Sequence, residues 1–209
     1  MAYESVTESG LEGEPARVEG RTSGVLDTAD AGTASLELLG LDDLAAGAAA
    51  DGADGPAEEL AALARLQLSW NATEVTAVVG GERLTAPRDR TDTSLVARVP
   101  SEPAGLFDVV AEATDVVVAG EQEVDGVRTT HLRASVRPRA AVDAGLGTQA
   151  QLAIAELPDL PVEIWLDRQG RPARIRYTAV LASLQPGRTR STTTTYDYAG
   201  WGEPVDVTP

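Results

Sequence analysis

His131 is the one histidine of this chain, and cysteine is absent. Those two residue types supply much of nucleophilic, general-base and thiolate chemistry, so the catalytic repertoire starts narrow. His131 lies in Thr129-Thr130-His131-Leu132-Arg133. Leu132, Ala134 and Val136 alternate onto one side of a strand, which puts His131 on the other side beside Thr129 and Arg133. A hydrolytic triad needs a nucleophile and an orienting acid around the imidazole. The sequence shows no acid partner for His131, no G-x-S-x-G elbow and no thiol. His131 is therefore expected to be exposed or structural, and dispensable for fold and binding. No residue is nominated as catalytic, and the chain is not expected to be an enzyme.

Metal and phosphate chemistry fare no better. One imidazole and no thiolate leave only carboxylates as ligands. Asp42-Asp43, Asp51 and Asp54 miss the spacing of a calcium loop, and Glu58-Glu59 fits the acidic first turn of a helix. Gly80-Gly81 and Gly145-x-Gly147 lack the Lys and Ser/Thr that follow a phosphate loop. No metal site and no cofactor is expected. Asn71-Ala72-Thr73 matches a glycosylation acceptor, a pattern common by chance. Trp165, Tyr177, Tyr196, Tyr198 and Trp201 gather most of the scarce aromatics. Such a set fits either an aromatic-lined pocket or plain core packing.

The formal net charge is −16, with lysine absent and the acid surplus greatest in the first sixty residues. Phosphate backbones require a basic surface, so nucleic acid is excluded as a partner. Electrostatic adhesion to anionic headgroups is disfavoured for the same reason. No apolar run is long enough to span a membrane, and Met1-Ala2 leads straight into polar sequence with no signal-peptide pattern.

Period-two alternation and turn signals set out the elements that must position these residues. Strands are expected at residues 3–9 and 16–27, with Val18, Thr22 and Leu26 on one face. Ala34, Leu36 and Leu38 mark a returning strand, and 66–70, 75–79 and 82–86 mark three more. Residues 115–124 and 127–137 pair across Asp125-Gly126, a strong hairpin signal. Residues 161–167 and 172–183 form a second hairpin over Asp167–Gly170, and 188–199 a last strand. Helices are expected after Pro56, carrying Leu60, Leu63 and Leu66, and after Pro103, carrying Leu106, Phe107, Val110 and Ala113. Residues 42–56 are Ala, Gly and Asp with little to bury and read as a flexible loop, and 139–157 is Ala-rich. Eight to ten strands with two or three helices and no βαβ unit mean an α+β fold with an antiparallel sheet, one domain over residues 1–209.

Three phrases carry a resemblance. They are Val124-Asp125-Gly126-Val127 followed by Thr129-Thr130-His131, then Leu160-Pro161-Val162 with Ile164-Trp165-Leu166-Asp167 and Gly170-Arg171, then Tyr198 through Val207. They resemble the LppX/LprG-type lipoproteins of actinobacteria, whose fold is similar to the periplasmic carrier LolA. Gly24-Val25-Leu26-Asp27 and the helix after Pro103 fit the same order. The resemblance implies a curved antiparallel half-barrel wrapped around helices, with acyl chains of lipid, glycolipid or lipopeptide held in an apolar cavity between them. It implies an extracytoplasmic protein anchored to the membrane through an N-terminal lipid-modified cysteine, which would precede Met1, and a monomer. Alternation and helical spacing nominate Leu60, Leu63, Leu106, Val110, Leu132, Val136, Ile164, Leu166, Ile175 and Tyr177 as cavity lining. The alternative is a protein-interaction or sensor domain on the same scaffold, with a packed interior and no lipid.

Overall fold

The structure is a computed structural model and describes residues 1–28, 31–39, 61, 64–88, 106–107, 110–137, 159–182 and 188–205. Its strands are β1 (Ala2–Leu11), β2 (Arg17–Thr28), β3 (Ala31–Leu38), β4 (Arg65–Trp70), β5 (Glu74–Val79) and β6 (Glu82–Pro87). They continue as β7 (Thr114–Val124), β8 (Val127–Val136), β9 (Leu160–Leu166), β10 (Pro172–Ala182) and β11 (Thr189–Ala199). The described residues thus hold eleven strands, against an expectation of eight to ten. All enter one curved, open sheet in the order β6-β5-β4-β3-β2-β1-β11-β10-β9-β8-β7.

Every neighbouring pair is antiparallel. The turns explain why. Asp125 and Gly126 both take positive φ, as do Gly80 and Gly81, the backbone that a two-residue hairpin of matching twist demands. Between β9 and β10 the Asp167 carboxylate accepts from the backbone N–H of Gln169 and of Arg171 at 2.8 and 2.9 Å, and Arg171 Nε donates to its other oxygen at 2.8 Å. An Asp that captures its own turn in this way fixes the register of the strands beyond it.

Alternation then sorts the side chains. One face, the core face, collects Tyr3, Leu26, Ala34, Leu36, Leu66, Leu68, Trp70, Val75 and Ala77 from one wing of the sheet. From the other wing come Val136, Val162, Ile164, Ile175, Tyr196 and Tyr198. Two close approaches depend on glycine. A Cβ on Gly24 would lie 2.1 Å from Thr33 O and 2.9 Å from the Tyr3 ring, and one on Gly32 would lie 2.5 Å from the Trp70 ring. Two aromatic rings therefore lie against bare backbone.

One expected face assignment is corrected. Thr7 pairs Gly20 but Glu8 pairs Val18, so a bulge around Glu19 turns Val18 to the opposite face from Leu26. The expected helices are only partly visible: Leu106, Phe107, Val110 and Ala111 are helical and the first three join the core. The 42–56 loop, most of the helix after Pro56 and the 139–157 stretch lie outside the described residues. Among the described residues no helix is long and apolar enough to cross a membrane.

Candidate functional site

The core face is the first part of the site. Leu106, Val136, Ile164 and Ile175 are buried in one apolar cluster, and Val110, Leu132, Leu166 and Tyr177 pack against it half-buried. The structure thus brings eight of the ten nominated lining residues together, while Leu60 and Leu63 lie outside the described residues. The register explains the meeting. Leu132 pairs Ile164, Ile164 pairs Ile175, and Ile175 pairs Tyr196, one row running across four strands.

That row changes character at β1. Tyr196 pairs Ser5, which pairs Thr22, and the apolar sequence resumes at Leu36 and Leu66. One row along, Tyr177 pairs Thr194 and Thr194 pairs Thr7. Ser5, Ser9 and Thr194 are buried. The middle of the sheet is therefore a hydroxyl-lined floor between two aliphatic walls. Sequence scanning missed it because Tyr3, Ser5, Thr7 and Ser9 alternate with Glu4, Val6 and Glu8, which gives no apolar period.

At the end of the sheet where β1 begins, aromatic rings gather. Phe107 lies 5.2 Å from Tyr198 and 5.6 Å from Trp201, centroid to centroid, both pairs tilted. Tyr196 and Tyr198 stack at 6.2 Å. Trp201 Nε1 donates to Pro172 O at 2.9 Å, which ties the end of β11 to the start of β10. Burial holds the Tyr198 phenol well above the ordinary tyrosine range, so it stays neutral. A recess of about 430 Å³ also opens at this end; Ala2, Glu4, Asp197, Ala199, Val124 and Ala173 in its lining place it toward the opposite face of the sheet. Its rim carries Asp125, Asp167, Arg171 and Glu203. Arg174 Nε donates to Asp197 Oδ1 at 2.5 Å and its Nη2 lies 3.8 Å from Asp125 Oδ2. The opposite end is polar: Arg190 Nε donates to Ser9 Oγ at 2.5 Å, and its guanidinium pairs with Glu19.

The opposite face of the sheet holds His131, and its environment departs from the sequence reading. His131 is 4% exposed and stacks on Trp165 at 4.3 Å with the rings 1° from parallel. It does have an acid partner. Its Nε2 lies 3.2 Å from Glu163 Oε1, an approach that is ionic in distance but out of line for a hydrogen bond. Glu163 also meets Arg133 Nε at 3.5 Å and Arg176 Nη2 at 3.0 Å. The pairing is diagonal, since Arg133 sits across from Glu163 and His131 across from Trp165. Trp165 Nε1 donates to Gln122 Oε1 at 2.7 Å, and Val124 and Ala173 complete a second small apolar cluster. The aromatic set named from sequence is thus split: Tyr177, Tyr196, Tyr198 and Trp201 belong to the core side and Trp165 to the other. Among the described residues no three His, Asp or Glu side chains gather as metal ligands.

No family model matches this chain. Over 104 residues it is 27% identical to lipoprotein LprA of Mycobacterium tuberculosis, a match covering 50% of this chain and 38% of that protein. The match therefore spans well under half the length of that relative. Among solved structures, lipoprotein LppX of Mycobacterium tuberculosis superposes with a TM-score of 0.52 at 10% identity, over 99% of this chain and 89% of that one. This chain has the LppX fold. LprF of Mycobacterium bovis superposes equally, TM-score 0.52 at 13% identity, over 100% and 88%. The resemblance to LppX/LprG-type lipoproteins read from the C-terminal phrases thus extends to the LppX fold of the whole sheet.

Proposed function

We propose that the chain is the lipid-binding domain of an envelope lipoprotein, holding acyl chains of a lipid, glycolipid or lipopeptide against the core face. The observation that carries this reading is the continuity of that face: an apolar cluster across both wings of the sheet, with the rings of Phe107, Tyr198 and Trp201 gathered at one end. Apolar burial alone supplies enough affinity: about a dozen buried methylenes contribute on the order of 10 kcal/mol before the entropy of association. The LppX fold, and the description of LppX and LprA as lipoproteins, support an extracytoplasmic place with a lipidated anchor. Residues 1–209 act as one domain, as a monomer and without a cofactor.

The test is titration of a fluorescent fatty-acyl probe at low and high salt. Saturable binding that changes little with salt is expected, because screening acts on exposed charges and not on apolar burial. Binding that collapses at high salt would point to a charged site instead. Absence of saturable binding would leave the second reading, a protein-interaction or sensor domain. A different observation favours it: Val116, Val117 and Val118 on the edge strand β7 are 54%, 61% and 67% exposed. An exposed apolar edge is a template for an added strand.

A further inference from the structure

The core face of an all-hydrocarbon container should be apolar throughout, and this one is not. Its central strand, β1, carries Ser5, Thr7 and Ser9 where the strands on either wing carry Leu, Ile and Val. Thr194 on β11 and Thr22 on β2 extend the hydroxyls one strand to each side. β1 is paired along its length on both edges, so its backbone does not require these side chains.

The hydroxyls are incompletely used. Thr7 Oγ1 and Thr194 Oγ1 share one hydrogen bond of 3.3 Å, which leaves one O–H and several lone pairs over. Ser5, only 7% exposed, makes no side-chain hydrogen bond to any described residue. A second donor on the same face is independent of these: Trp70 Nε1 is buried and without a partner among the described residues. Three strand spacings and four residues separate Trp70 from the Ser5 row, roughly 20 Å. Of these groups Trp70 Nε1 is the buried donor without a partner, and an incoming acceptor would relieve its desolvation cost.

We infer that the hydroxyl floor of Ser5, Thr7 and Thr194 selects, among acyl ligands, those carrying hydrogen-bonding groups part-way along the molecule, such as ester or amide carbonyls, over plain hydrocarbon of equal length. This rests on the acyl-binding reading above and adds the chemistry of the ligand's interior. The aliphatic walls take the chains. The floor takes the carbonyls, and the Trp70 N–H meets another acceptor further along. Since all these groups are neutral, selectivity comes without charge recognition.

The experiment is competition against the bound fluorescent acyl probe by dipalmitoylglycerol and by its dihexadecyl ether, which has the same length but no carbonyls. The wild-type chain should prefer the ester by about tenfold, the scale of one net hydrogen bond. A variant with Ser5→Ala, Thr7→Val and Thr194→Val should lose that preference while still binding the ether as the wild type does, which also shows that it is folded. Equal displacement by ester and ether in the wild type would overturn the inference and leave the acyl-binding reading standing. So would an ester preference that survives in the variant. Displacement by neither, with no probe binding at all, would remove both.

Discussion

The two wings of the sheet are built to different rules. In β2–β5 only the core face is closed. β4 alternates buried and exposed positions along its length, β6 is exposed throughout, and polar recesses of about 450 and 510 Å³ lie over the far face. In β8–β10 both faces are occupied. Ile164 faces the core while its neighbour Trp165 is buried on the other side, stacked on His131 and bonded to Gln122. A strand closed on one face has half its positions free to vary; a strand closed on both has few. Two of the three recognisable phrases of this sequence fall in or beside the two-faced wing.

Trp165→Ala breaks the comparison at its strongest point. It removes the stack, the Gln122 hydrogen bond and most of the second cluster, and should cost about 3–5 kcal/mol. Leu84→Ala, at a side chain 59% exposed on β6, should stay within about 0.5 kcal/mol. Urea midpoints read both, and comparable losses would show that the wings do not differ. Next in size is Gly32→Ala. Its new methyl meets the Trp70 ring and Val25 O, and overpacking of this kind costs about 1–3 kcal/mol. Crowding there tests the core face of the one-faced wing.

His131→Ala should then cost on the order of 1–2 kcal/mol through lost stacking on Trp165, with acyl-probe affinity unchanged. That replaces the expectation of a wholly dispensable histidine. A loss of probe binding without loss of stability would instead connect the opposite face to the ligand. A pH effect is smaller. Burial alone would raise the Asp167 carboxyl, but hydrogen bonds from Arg171 and Gln169 outweigh it and hold the group below its ordinary 3.8. A carboxylate depressed in the folded state stabilises fully above that value, and the contribution fades as pH falls through the lower folded value. Asp167→Asn should therefore flatten the acid side of the stability profile, seen as melting temperatures converging with wild type below about pH 4. Smallest of all, Arg128→Ala, which breaks an exposed ion pair with Glu121, should shift stability by under about 1 kcal/mol.

The turns made the sheet legible in advance. Asp125-Gly126, Gly80-Gly81 and Asp167–Gly170 each state a hairpin in local terms, and antiparallel order follows from them. Apolar alternation likewise placed Leu132, Ile164 and Ile175 on one side. What could not be read was whatever depends on lateral neighbours. Glu163 reaches His131 only because of a diagonal across β8 and β9, and Val18 turns over only because of a bulge against β1. Ser5 and Thr194 become a floor only once first and last strands are laid side by side.

That last pairing has a kinetic side. Joined through β1 and β11, the strand order runs from β7 to β11 and then from β1 to β6 with every neighbour consecutive. The sheet is an unbroken meander cut once in its middle, so the seam at its centre is its most distant contact in sequence. Long-range closure slows folding, and each wing can form its hairpins before the seam does. A circular permutant that links Pro209 to Met1 and opens between β6 and β7 would turn the slowest contact into a local one.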